Sequence, residues 1–535
     1  MKPRRRPLAD FTATPRLIPI SLIAVAIGVL SGLVAKLLLD LIGLFTNLFF
    51  FQRWSSELAS PADHQLGWLV VLVPVAGALI IGLMARYGSE RIRGHGIPEA
   101  LESILIRGSR VEPRLAVLKP LSAAISIGSG GPFGAEGPII MTGGAFGSLI
   151  AQGFHLTNAE RKTLLVAGAT GGMAATFAAP ISAVLLGIEL LLFEWKPRSF
   201  IPVALASAAA VATRNIVIGP GPLFPAPEHA AVVGVEALLG CVAVGLGVGV
   251  LALLTTASVY RFEDLFKRLP VHWMWWPAIG GVVIGIGGLI YPHALGVGYD
   301  SIAGLLDDRF TVTQVLVLIA VKWTIWSFAL GSGTSGGVLA PLLMLGGALG
   351  ALEAQVLPDQ GAGFWAMISM GAIMAGVMRS PLTGIVFAAE ITHDFDAMVP
   401  LAVACAVAYA VSVLILPRSI LTEKVARRGY HITREYAIDP LEVLFVREVM
   451  RTGAAAPQPG QPLADADETL RTVAARMAET GCTEMAVVDA DGAHVGTVAL
   501  EELLEARARH QEEETRMERV IPVGRMLPPF LRRRA

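Results

Sequence analysis

Apolar residues run in long blocks through the first 430 positions, with no strict two-residue alternation. The blocks Leu17–Leu38, Leu66–Leu83, Val232–Leu254, Met274–Ile290 and Val399–Leu416 reach or approach the roughly 18–20 apolar residues that span a bilayer as helix. Shorter apolar segments open at Gly137-Pro138, at Ala340-Pro341 and, after Gly96, at Pro98. Proline near a first turn marks a helix start. From about Pro440 the pattern becomes that of a small soluble α/β unit. It predicts a helix over Thr469–Glu479, a strand Met485–Val488, a turn Asp489–Gly492 and a returning strand Val495–Leu500. The run from Glu501 to Arg519 reads as a solvated, charged helix.

Composition settles the class. The 535 residues are 54% hydrophobic and 16% charged, with mean hydropathy +0.62. A soluble domain is nearer a quarter charged. This is the pattern of an all-α polytopic membrane protein with a small α/β appendage. The first apolar run extends almost unbroken to Phe51, too long for a signal-peptide core of about 7–15 residues. Lys2, Arg4, Arg5 and Arg6 ahead of it place the N-terminus in the cytoplasm. The charged region from Arg418 to Arg532, Arg533 and Arg534 is expected there too, which requires an even number of crossings. A net charge of −1 speaks against nucleic acid as a partner. Cys241, Cys405 and Cys482 have no metal-ligand spacing, and there is no HExxH. No enzyme, metal or cofactor is expected.

The chain repeats itself. VLKPLSAAISIGSGGPFGAEGP at 117–138 matches AVKWTIWSFALGSGTSGGVLAP at 320–341, an offset of 203 that pairs Lys119 with Lys322, Gly134 with Gly337 and Pro138 with Pro341. GHGIPEA at 94–100 lines up with GVGYDSI at 296–302, and APISAVLLGIEL at 179–190 with SPLTGIVFAAEI at 380–391. The halves cover about 20–215 and 230–430. Paired halves, often inverted, are how many transporters are built, with substrate bound where broken helices point their ends inward. Each helix start offers unpaired N–H groups and about half a positive charge. Several such starts together make an anion site without a basic side chain. Glu136 sits immediately before one of them, the lone carboxylate in GPFGAEGPII. An ionisable group at membrane depth is costly and functional by default. A carboxylate there is held ionised by the helix ends and competes with a permeant anion; protonating or swinging it aside would open the site.

GHGIPEA, GSGGPFGAEGP, GTSGGVLAP and LPRSILTEKVARRG resemble, in order and composition, the signature stretches of the CLC family of chloride channels and proton/chloride exchangers. The resemblance covers roughly 20–430, within a transmembrane domain expected over 17–430. It implies a homodimer in a lipid bilayer, each subunit made of two inverted repeats of tilted and broken helices with its own chloride pathway. Glu136 takes the place of the family's gating glutamate. The backbone around His95, Gly96 and Ile97, around Ala135 and Gly137, and at Val338 and Leu339 takes the place of its anion-binding segments. Four positions depart from the pattern. Ala135 stands where a basic residue is usual, His95 where a Ser ligand is usual, Leu339 where Phe is usual, and Leu421 where a pore-facing Tyr is expected. An imidazole can donate one N–H, or two when charged, so His95 still serves as a ligand and makes conduction pH-sensitive. Its bland alternative is a backbone-bonded ring.

The family's exchangers carry a second, inner glutamate. Glu189 matches the residue before it, with Glu390 as its repeat partner, but the position itself is Leu190. Leu190 favours passive conduction, hence a CLC-type chloride channel gated by Glu136, with voltage gating left open. The alternative is a proton-coupled chloride exchanger whose protons pass through Glu194 or water; Glu194 in FEWKPR also suits a surface position near Lys196 and Arg198. A sensor that transports nothing is a more remote reading. Lys119 and Lys322 either supply a positive field or pair with buried carboxylates or helix C-termini. The block 446–508 in the tail (440–535) resembles one CBS domain, while VIPVGRMLPP at 520–529 looks like an incomplete second copy, so nucleotide binding there is doubtful. A bacterial inner membrane, with residues 1–16 as a basic cytoplasmic terminus, is the expected setting.

Overall fold

The computed structural model describes residue 11 and residues 14–226, 234–430, 439–452 and 461–515. The basic residues Lys2 to Arg6, the final arginines and the partial copy at 520–529 lie outside these. The chain divides into a helical unit, Phe11–Arg434, and a smaller unit in the described residues after Glu435.

Seven helices of the first unit are long and apolar enough to cross a membrane: Leu17–Phe51, Gly67–Tyr87, Pro197–Val217, Val235–Lys267, Trp273–Ile290, Val312–Gly331 and Met398–Ala426. Pro197–Val217 and Val312–Gly331 do not stand out in the sequence as apolar runs, because alanine and serine dilute the first and Lys322 interrupts the second. Leu17–Phe51 has 35 residues, roughly 52 Å of helix. That exceeds a hydrocarbon core of about 30 Å, so it fits such a core only by tilting or protruding. Between the long helices lie short ones that begin in the interior. Ile97–Leu105, Glu136–Gln152 and Leu339–Glu353 start beside one another, each with buried first residues. Helix Glu136–Gln152 crosses Asn158–Phe177 at glycines. A Cβ on Gly143 would fall 2.2 Å from the Gly168 carbonyl oxygen, so the two backbones touch.

The repeat is a two-fold arrangement. Gly134 N–H donates to Gly337 O at 3.2 Å and Gly337 N–H to Gly134 O at 2.9 Å, an antiparallel bridge between equivalent residues. Equivalent positions meet each other only on the axis that relates the halves. Away from the axis the contacts are exchanged. Glu189 accepts from the amides of Leu382 (3.1 Å) and Thr383 (2.9 Å), and Glu390 accepts from those of Ile181 (2.9 Å) and Ser182 (2.8 Å). Each carboxylate thus caps the short helix of the other half, where the orphan N–H groups and the dipole favour an anion.

The smaller unit has a four-stranded sheet. Strands β1 (Arg451–Thr452), β2 (Leu463–Asp465), β3 (Glu484–Val488) and β4 (His494–Ala499) lie in the order β1-β4-β3-β2. β2 and β3 are parallel, joined by helix Leu470–Thr480; β3 and β4 form the antiparallel hairpin foreseen in the sequence. Its turn is fixed by the Asp489 carboxylate, which accepts from the amides of Asp491 (3.0 Å) and Ala493 (2.9 Å). Val446, Leu470, Val473, Met485, Val487 and Val498 form its core. The helix begins one residue later than the sequence suggests, with Thr469 as its N-cap.

Candidate anion site

Three helix starts meet at Glu136. Helix Glu136–Gln152 begins at this residue, with Ala135 as N-cap, so the carboxylate belongs to the first turn rather than preceding it. Glu136 is fully buried, as are Ala135 and Val338, with Leu339 1% exposed. The Leu339 N–H, at the start of the repeat-related helix, donates to Glu136 Oε1. Glu136 Oε2 is buried without a partner. The carboxylate therefore occupies the place that an anion would take at the Leu339 amide. It lies in a glycine cradle on the two-fold axis. A Cβ on Gly134 would fall 1.9 Å from Oε2, and one on Gly337 would fall 2.4 Å from Oε1.

The third start is Ile97–Leu105. Gly96, at φ +90, is its N-cap, and a Cβ there would fall 2.3 Å from the Gly137 carbonyl oxygen. Only glycine allows both the conformation and the approach. His95 is 6% exposed, its carbonyl oxygen lies against Gly137, and its Nδ1 is buried without a partner. The bland alternative for His95, a ring tied to backbone, therefore does not account for Nδ1. The Gly96 amide is not free as the sequence reading has it: Glu99 Oε2 accepts its hydrogen at 2.9 Å, while Glu99 Oε1 accepts from Arg428 at 3.0 Å. Glu99 is a site residue that the motif reading passes over, although its three-residue spacing from the N-cap, the glutamate half of a capping box, makes it legible. Tyr299 is another. It is the repeat counterpart of Ile97, its hydroxyl is buried without a partner, and Glu136 is within electrostatic reach.

Two cavities flank the junction. One, about 670 Å³, is lined by Gly94, Arg93, Arg91, Arg107, Lys424 and Arg428 among others. The other, about 140 Å³, includes Thr46, Ser60, Gly298, Tyr299 and Asp300. Gly94 of one half thus lines one cavity, and Gly296, Val297 and Gly298 of the other half line the second.

Lys119 and Lys322 are fully buried, and each meets the C-terminal carbonyl of a short 3-10 helix, Glu90–Ile92 and Pro292–Ala294, rather than a carboxylate. Lys119 Nζ donates to Ile92 O (2.8 Å), Gly94 O (2.8 Å) and Ser335 Oγ (3.2 Å); Lys322 Nζ donates to Ala294 O (2.9 Å) and Gly296 O (3.2 Å). Each ammonium pins the loop that leads into its half's glycine motif. Lys119→Met leaves two buried carbonyls without a donor. It is expected to lower stability by about 2–4 kcal/mol, checked by thermal unfolding of the purified protein in detergent.

The remaining residues sit away from this junction or are otherwise engaged. Leu190 is fully buried, in π-type turns over Gly187–Leu192. Glu194 accepts from Ser199 Oγ and from Arg198 at 3.2 Å, as its surface reading implies. Leu421 is buried in the first turn of Ile420–Ala426, which packs on Ile97–Leu105. Tyr260 does not supply the hydroxyl that Leu421 lacks, because its OH donates to Ile420 O. Tyr430 is 42% exposed.

A family model described as "Voltage gated chloride channel" matches residues 76–413. An H(+)/Cl(-) exchange transporter ClcA of Salmonella arizonae is 31% identical over 431 residues, 75% of this chain and 86% of that protein. A putative chloride channel protein ClcB-like of Ralstonia nicotianae is 26% identical over 352 residues, 64% of this chain and 82% of that one. Among solved structures, a slow cyanobacterial Cl-/H+ antiporter superposes with a TM-score of 0.69 at 21% identity, over 78% of this chain and 99% of its own. A eukaryotic CLC transporter gives 0.64 at 19% identity, over 92% and 89%. The fold of broken helices is theirs, and with a family match across more than half its length this integral, multi-pass membrane protein belongs to the CLC family.

Proposed function

We propose that this protein exchanges chloride for protons across the membrane, with Glu136 as the shared gate. The observation that carries the reading is the Glu136 carboxylate seated on the Leu339 amide, where an anion would bind, with its second oxygen unpartnered. Ionised, Glu136 blocks the helix ends; protonated, it gives up the charge that competes with chloride. Transport then rises as pH falls. Leu190 argues for a channel. The relatives named as exchangers, at 31% identity over 75% of the chain, weigh more on the other side.

The amides of Ala135, Gly137, Val338 and Leu339 and the His95 side chain are the anion ligands in this reading, with Ile97 at the third helix start. The Gly96 amide becomes available only when Glu99 leaves it. Leu190 and Glu194 carry no proton. Family resemblance supports a homodimer, a bacterial inner membrane with both termini cytoplasmic, and one CBS-like module in the tail. No nucleotide is assigned to that module, whose second copy lies outside the described residues.

The test is the reversal potential of current through purified protein in a planar bilayer, under a fixed chloride gradient with an added pH gradient. A shift with the pH gradient is expected. A potential that stays at the chloride value would return the protein to the channel reading.

A further inference from the structure

We propose that His95 is the side chain that delivers protons to Glu136 and takes them back. The inference rests on the exchanger reading, in which protons reach the gate through water or through a titratable group beside it. Leu190 offers none, and the Glu194 carboxylate is engaged by Ser199 and Arg198. The other ionisable groups at the junction, among the described residues, are occupied or unsuited. Lys119 spends its ammonium on three acceptors and Lys322 on two. Glu99 is held by Gly96 N–H on one oxygen and Arg428 on the other. Tyr299 is a phenol, whose ordinary titration lies near pH ~10. His95 keeps a buried ring nitrogen that no partner holds.

Its position fits the task. His95 follows Gly94, which walls the cavity of about 670 Å³ lined by both cations and carboxylates, and its own carbonyl oxygen packs on Gly137, next to the gate. Three buried polar atoms at this junction have no partner: His95 Nδ1, the Tyr299 hydroxyl and Glu136 Oε2. Unpaired buried groups of this kind call for something between them. A donor on one side and an acceptor on the other suit a transferred proton, with water or the permeant ion alongside.

The step balances simply. A proton from cavity water binds Nδ1 to give an imidazolium. The N–H bond then breaks, its electron pair staying on nitrogen, as an O–H bond forms at Glu136 Oε2, directly or through one water. Neutral Glu136 releases the Leu339 amide to chloride, and the reverse step restores the block. The charges facing His95 are Glu99 on its own helix, Lys119 on helix Pro113–Gly128, and Lys424 and Arg428 from the segment around Ile420–Ala426. Among three cations and one carboxylate, a proton is accommodated on His95 together with an anion rather than alone. That ties proton uptake to chloride occupancy.

The experiment uses the full chain in liposomes, following chloride efflux and chloride-driven proton uptake with two electrodes. His95→Gln keeps a hydrogen-bonding group but cannot titrate. It is expected to slow chloride-driven proton uptake by roughly 100-fold, the low end of what a positioned proton-transfer group contributes, and so to lower the ratio of protons to chloride. His95→Glu, which titrates, recovers part of that ratio. If the Gln protein does not fold, as judged by gel filtration, His95→Ser carries the same comparison. A Gln or Ser protein with the unaltered ratio overturns the proposal and leaves the exchanger reading standing. A wild-type protein that moves no protons overturns both.

Discussion

Liposomes carrying Glu136→Ala are expected to release chloride faster than wild type, at a rate that no longer responds to pH, with no chloride-driven proton uptake. The carboxylate now sits on the Leu339 N–H, at the start of the repeat-related helix. A charge-assisted hydrogen bond is worth about 1.5–3 kcal/mol, and removing that competitor frees the amide for chloride. At about 1.4 kcal/mol per factor of ten, chloride occupancy there should rise by roughly ten- to hundredfold. Wild-type flux climbs as pH falls, because protonation removes the blocking charge; the Ala protein has no charge to remove. Losing an acidic side chain from a first helical turn costs only about 0.3–1 kcal/mol, so the protein should fold. Proton uptake that survives in Glu136→Ala would show that the gate lies elsewhere.

The second large effect comes from a residue that touches no anion. In Gly134→Ala the new methyl group would lie 1.9 Å from Glu136 Oε2, 2.7 Å from its Cδ and 2.8 Å from Oε1. Those three atoms are its nearest neighbours, and Gly134 does not have a left-handed backbone, so alanine fits the main chain. The far end of one side chain must move, and the backbone need not. Gly134→Ala should therefore drive Glu136 off the Leu339 amide and reproduce the fast, pH-insensitive chloride flux of Glu136→Ala, with little change in melting temperature. Gly337→Ala is the control on the other side of the axis. Its Cβ would also meet the Gly134 carbonyl oxygen at 2.6 Å, a backbone atom, and overpacking of that kind costs about 1–3 kcal/mol. A Gly134→Ala protein with the wild-type pH profile would mean that Glu136 is not held in this cradle.

Glu189 and Glu390 show how the sequence can name a residue and still leave its job open. Both are visible in the repeat, and Glu189 aligns with the residue just before the family's inner glutamate. Their carboxylates are spent capping each other's partner helices, a reciprocal contact that exists only once the halves are folded together. Glu99 is the opposite case. Its three-residue spacing from Gly96 matches the glutamate half of a capping box, a local signal readable before any fold is known.

The sequence by itself determined the membrane class, the two repeats, the three helix starts and the isolated carboxylate at Glu136. These follow from local properties: apolar run length, self-similarity at a fixed offset, and proline and glycine at first turns. Tertiary structure alone decided which amide Glu136 occupies, that Gly134 and Gly337 pair on the axis, and that Lys119 serves backbone carbonyls. Tertiary structure also left His95 Nδ1 and Glu136 Oε2 unpartnered at one junction. The contacts between the halves join residues far apart in the chain, 203 positions apart for Glu136 and Leu339, while Lys119 reaches carbonyls 25 and 27 positions away in its own half. Hydrogen-bond partners at that separation are set by how the halves close on their axis, which no local pattern encodes.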